Sequence, residues 1–232
     1  MTHLQREIDR LKRRILALGA LVEANLRLAV QAIETRDAVK ARKVIATDLQ
    51  IDENEVEVEE ECLKLLALYQ PVAKDLRFII AVVKINSELE RIGDLAANVA
   101  ERAEQLAHEY PVPVPASLPV IADRVRTILE DVLDALVRQD AVAARKVLVA
   151  DDEIDDLYEQ LLEELKVELR ADLDHLDAIV LLFSVARYME RLADHATNIA
   201  EDVLYMVEGE IHRHHFPDTP AELLKLDDRG GD

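Results

Sequence analysis

A single cysteine, Cys62, leaves no intrachain disulfide to form, so the fold must hold by packing, and a reducing compartment is expected. Tryptophan is absent and all aromatics together make up 3% of the chain. No series of stacking platforms for nucleic-acid bases is available. Glycine occurs only five times, with no glycine-rich loop to cradle a phosphate. Positive charge is scarce: 28 Lys and Arg stand against 48 Asp and Glu, for a formal net charge of −20. There is no basic run, which sets aside nucleic acid and anionic lipid as ligands. Cations and basic patches on other proteins suit this surface better. The longest plain apolar run, Phe78 to Val83, is far too short for a membrane span, and the opening MTHLQREIDRLKRR lacks the apolar centre of a signal peptide. The expected location is cytoplasmic.

What the chain does have is aliphatic and acidic. Half its residues are apolar and a third charged, a composition of long helices packed on one another. Apolar positions recur at helical spacing over about 4–34, through Leu11, Ile15, Leu18, Leu21, Val22, Leu26, Val30 and Ile33. Asp37 then offers an N-cap for a second helix running to about 68. Pro71 breaks the pattern, and a third helix follows over about 72–109. Pro111, Pro113, Pro115 and Pro119 follow in quick succession, and the alternating Val and Pro mark a stiff, non-helical boundary. Beyond it the programme repeats: a helix over about 118–138 with Ser117 as a weaker cap candidate, one over about 140–170 capped by Asp140, and one over about 174–208.

The repeat is visible residue by residue. RDAVKARKV from Arg36 returns as QDAVAARKV from Gln139, an offset of 103. ERIGDLAANVAE from Glu90 returns as ERLADHATNIAE from Glu190, an offset of 100. Three residues are therefore missing from the second copy, best placed at the turn where the first has Tyr69-Gln70-Pro71. The fold class expected is all-α, two tandem antiparallel three-helix bundles from an internal duplication. The boundaries are 1–110 for the first repeat, 111–117 for the proline-rich linker, 118–209 for the second repeat and 210–232 for a tail.

Each twelve-residue motif places an acidic stripe on one helix face. Glu90, Asp94, Asn98 and Glu101, and likewise Glu190, Asp194, Asn198 and Glu201, stand at offsets of 0, 4, 8 and 11, within about 80° of arc. The preceding helices carry i, i+4 pairs of their own, Asp48/Asp52 and Asp151/Asp155. Counted from the turns, all these pairs lie about 30 Å along their helices, so antiparallel packing brings them level. Facing carboxylates form an oxygen-rich site for Mg, Mn, Ca or Fe. The plainer reading is a solvated acidic face, with Arg91 and Arg191 as local neutralisers. A carboxylate-bridged di-iron or di-manganese enzyme, or a metal store, is the rival function, but that pattern requires Glu-x-x-His on two helices, and neither stripe supplies it. His195 points about 100° away from Asp194 and has Leu95 as its counterpart, so it reads as structural. His212, His214 and His215 read as incidental. No catalytic residues emerge.

LERIGDLAANVAE from Leu89, RYMERLADHATNIAEDVLYMVEGE from Arg187 and DLRFIIAVVKINSELERIGD from Asp75 resemble the PhoU family of phosphate-signalling regulators, over about residues 4–215. The resemblance implies two tandem three-helix bundles. It implies metal at E(D)xxxD motifs, iron and zinc among the ions, with Asp48/Asp52 and Glu90/Asp94 forming one site and Asp151/Asp155 and Glu190/Asp194 the other. It further implies no enzyme activity, negative regulation of the phosphate-starvation response, and frequent homodimers. The implied partners are the ATPase subunit (PstB-like) of the phosphate ABC transporter and a sensor histidine kinase (PhoR-like). Ala193, standing where the first motif has Gly93, departs from the pattern.

Overall fold

The computed structural model describes residues 3–108 and 112–210. Within them lie six helices: α1 (His3–Thr35), α2 (Ala38–Tyr69), α3 (Ala73–His108), α4 (Ser117–Arg138), α5 (Ala141–Ala171) and α6 (Leu176–Glu208). The periodic stretches read from sequence are these helices, to within two residues at most ends. Residues 211–232, which include His212, His214 and His215, lie outside the described residues, as does Pro111.

Both aspartate caps form. Asp37 Oδ1 accepts from the backbone N–H of Val39 at 2.9 Å and of Lys40 at 3.1 Å, and Asp140 Oδ1 accepts from Val142 at 2.9 Å and Ala143 at 3.0 Å. An Asp37→Ala protein should be less stable, read as a lower urea midpoint at unchanged slope. Ser117 does not act as a cap. It is the first residue of α4, its neighbour Ala116 has no capping side chain, and its own N–H donates to Glu164 Oε2 of α5 at 3.2 Å. A carboxylate from another helix thus takes the place that the sequence assigned to a local hydroxyl.

Helices α1, α2 and α3 pack as one bundle and α4, α5 and α6 as another; α3 lies on α6 and α1 on α4, so the apolar side chains form one continuous core. Leu11, Ile15, Leu18, Val22 and Leu26 of α1 are all buried. α1 is the one described helix long and apolar enough, by composition, to cross a membrane, and this buried stripe accounts for its hydropathy. Gly19 lets α4 approach closely: a Cβ there would stand 2.7 Å from Leu133 Cδ2. Cys62 is fully buried, and its thiol is pushed up to about 12 by that burial and by Glu61 and Glu59, which makes it an inert core filler.

The α3–α6 contact is antiparallel and differs between the two copies. Glu88 of α3 sits 2.7 Å from His195 Nδ1 and accepts from Asn198 Nδ2 at 3.2 Å. Burial opposes ionisation of Glu88, but these hydrogen bonds and the nearby Arg91 hold it below the usual carboxylate range. Its counterpart on α6, at the offset of 100, is Tyr188, which instead accepts from Arg102 at 3.3 Å through its hydroxyl. Lys84 reaches Asp202 at 3.1 Å and lies 5.1 Å over the Tyr205 ring, where the corresponding positions are Ser184 and Arg102.

Candidate metal centre

The turn between α2 and α3 reverses the chain so that the acidic pairs meet. Asp48 and Asp52 of α2 and Asp94 of α3 each present an oxygen, all three within 4.8 Å of one another. Among the described residues this is the one group of three potential ligands drawn so tightly together. Glu90, one turn earlier on α3, is close enough to Asp94 and Asp52 that both raise its pKa, after burial. Asp48 feels the crowding most. Burial first, then Asp52, Asp94 and Glu101, push its carboxyl up to about 6. Its Oδ1 is buried and accepts no hydrogen bond. A buried, orphaned carboxylate oxygen beside two further carboxylates is a costly arrangement that a cation would relieve.

Gly93 belongs to this geometry. A Cβ there would lie 3.0 Å from Ile51 Cγ2 and 3.3 Å from Asp48 Oδ1, so the bare backbone lets α2 bring Asp48 against α3. The second copy carries a buried Ala193 at that position.

The second repeat has the same electrostatics with a looser set. Asp151 is pushed up to about 6 by burial, then by Asp155, Asp194, Asp152 and Glu190. Glu190 and Asp194 are raised too, again chiefly by burial. The orphaned buried oxygen here is Glu190 Oε2, on the residue aligned with Glu90, whereas in the first copy it is on Asp48. Glu190 Oε1, however, accepts from Arg187 at 2.8 Å, a guanidinium where the first copy has Ser87. Arg187 supplies internally part of the positive charge that the first site lacks.

The remaining stripe residues divide. Glu101 stands near enough to Asp48 to raise it, although its own carboxylate is half exposed and 3.3 Å from Arg102. Asn98 and Glu201 are half-buried one or two turns along their helices. Asn198 donates its amide to Glu88 across the repeat boundary, away from the carboxylates. His195 likewise faces Glu88, as its offset from Asp194 implied. The sequence reading missed Glu55. Its carboxyl is raised by burial, then by Glu59 and Asp52, it raises Glu90 in turn, and Asn86 donates to it at 2.9 Å. The spacing of 48, 52 and 55 on one helix face was the available signal. Its counterpart, Tyr158, hid it from a comparison of the copies.

The donor set is all oxygen, carboxylate-rich and only partly buried, which fits a divalent cation held by two consecutive helices. The architecture also has close relatives. The PhoU domain family model matches residues 15–103 and 118–203, one match per repeat. The phosphate-specific transport system accessory protein PhoU homolog of Aquifex aeolicus is 38% identical over 90% of this chain and 95% of its own length. The accessory protein PhoU of Escherichia coli is 31% identical over 94% and 90%. The crystal structure of PhoU from Pseudomonas aeruginosa superposes with a TM-score of 0.87 at 37% identity, covering 90% of this chain and all of that one. PhoU from Streptococcus pneumoniae, described as a phosphate transport system regulatory protein, gives 0.84 at 29%, covering 90% and 99%.

Proposed function

The chain belongs to the PhoU family of phosphate-specific transport accessory proteins, and from that premise we propose that it is a metal-binding adaptor that negatively regulates the phosphate-starvation response. The observation that carries the reading is that the likeness spans both repeats and nearly the full length of relatives named as transport accessory proteins. The adaptor docks on the transporter's ATPase subunit and on a sensor histidine kinase, works in the cytoplasm as a homodimer, and turns over no substrate. With phosphate plentiful it holds the kinase in its phosphatase state and restrains uptake.

In the first repeat, Asp48, Asp52, Glu90 and Asp94 would hold the ion, with Glu101 and Asn98 alongside. In the second, Asp151, Asp155, Glu190 and Asp194 would do so, with Asn198 and Glu201 further along the stripe. The ion supplies positive charge between like-charged helices. The protein's own residues set how much is needed: Arg187 meets part of that need in the second repeat, and Gly93 brings Asp48 close in the first.

Deleting the gene and assaying a phosphate-repressed phosphatase tests the regulatory reading. Constitutive phosphatase in phosphate-rich medium, restored to repression by the intact gene, is the expected result. Normal repression in the deletion strain would remove the regulatory role.

A further inference from the structure

Among the described residues α2 packs against α1 and α3 with one side and leaves the other open. On that open side Leu49, Val56 and Leu63 are 68%, 52% and 57% exposed. Steps of seven residues drift by only about 20° each, so the three lie within about 40° of arc along some 21 Å of helix, with the exposed Ala67 continuing the line. Aliphatic side chains at one position of a heptad make a narrow apolar line, flanked here by carboxylates where a coiled-coil seam would place its second aliphatic row. Among the described residues this line has no partner helix.

The duplication provides an internal control. At the offset of 103 the positions corresponding to Leu49, Val56 and Leu63 are Asp152, Glu159 and Lys166, all exposed on α5. The same helix, in the same environment, carries charged residues there. Exposed aliphatics also occur near the α2–α3 and α5–α6 turns, Leu68 and Val72 in one copy and Leu173 and Leu176 in the other, so those are common to both repeats. The apolar line belongs to the first repeat alone.

Its borders are acidic. Asp52 and Glu59 line one side, Glu53 and Glu60 the other, all exposed. The nearest cation, Lys64, reaches only Glu60, at 3.9 Å. A second copy of this face would bring carboxylates against carboxylates in a protein already at −20. A helix with Lys or Arg beside its own aliphatic stripe would meet both features at once. We propose that the outer face of α2, centred on Leu49, Val56 and Leu63, docks a basic amphipathic helix of a partner protein. This inference stands whether or not the chain regulates phosphate signalling.

The test uses the full-length protein and two synthetic 18-residue helical peptides. Both have Leu at a and d positions; one has Lys and Arg at e and g, the other Glu. Binding is followed by fluorescence anisotropy in 0.15 M NaCl. The control protein is Leu49→Asp/Val56→Glu/Leu63→Lys, which installs the residues of the second copy and moves the net charge by a single unit, with circular dichroism as the check that its helix content equals the wild type's. The basic peptide should bind the wild type and lose at least tenfold in affinity for the triple variant, while the acidic peptide binds neither. Equal binding of the basic peptide to both proteins would reduce the effect to general adhesion to an acidic surface. No binding to the wild type, or binding of both peptides alike, would also overturn the proposal. So would a wild-type dimer that the triple variant converts to monomer, since the face would then belong to a second copy.

Discussion

At pH 7, Mn²⁺ added to metal-free protein will raise the thermal midpoint by about 5–10 °C once free Mn²⁺ stands a hundredfold above its Kd. Binding to the native state alone contributes about 2.7 kcal/mol at that ratio, and about 2–4 °C accompanies each kcal/mol in a chain of this size. The gain should largely disappear in Asp48→Asn/Asp94→Asn, which keeps the shape of the site and removes two of its three clustered carboxylates. It should shrink at pH 5 in the wild type. Asp48 and Asp151 ordinarily titrate near 3.8 but sit near 6 in the fold, so between about pH 4 and 6 the folded protein binds protons more tightly than the unfolded chain. Those two carboxyls therefore favour the metal-free fold at low pH, and that contribution is lost as the pH rises through 6. Protons and metal compete for the same oxygens. A midpoint indifferent to Mn²⁺ at pH 7 would contradict the account of the site.

Lys84→Ala will cost about 2 kcal/mol. Asp202 is almost completely buried between α3 and α6, and Lys84 both pairs with it and covers Tyr205. Taking one partner from a buried pair costs about 3–5 kcal/mol; Lys84 is one-third exposed, and solvent screening lowers the figure. Lys64→Ala is the control, since its contact with Glu60 is long and both side chains are more than 60% exposed. It should change stability by less than about 0.5 kcal/mol. Chemical denaturation of the two variants side by side decides the matter. Equal midpoints would mean that the α3–α6 joint does not depend on Lys84.

The same joint shows where sequence reading stops. Helix positions, the aspartate caps and the duplication are all local or periodic signals, and they were legible because a cap acts over three residues and a core stripe recurs every three or four. The meeting of Asp48, Asp52 and Asp94 was legible by counting along two antiparallel helices from one turn. The partners of His195 and Asn198 were not: Glu88 lies 107 and 110 residues away in the other repeat. Nothing in a local pattern encodes that distance, and the comparison of copies misleads there, because Glu88 faces Tyr188 in the alignment while it contacts His195 in the fold. Glu164 of α5, which accepts from Ser117 at the start of α4, escaped for the same reason. Glu55 was within reach of spacing alone but had no twin to draw attention to it.

The duplication also suggested two equal sites, and here the side chains qualify the symmetry. The first repeat has the tight triplet, the uncapped Asp48 oxygen and a glycine that admits it; the second has Arg187 on Glu190. The first repeat should therefore hold metal more firmly. The direct measurement is elemental analysis of protein purified without chelator, compared with Asp48→Asn/Asp94→Asn and Asp151→Asn/Asp194→Asn. Metal in the wild type, mostly lost from the first variant and less depleted in the second, is the result predicted. Wild-type protein without metal, or the same metal content in all three proteins, would contradict the claim that these acidic faces are cation sites.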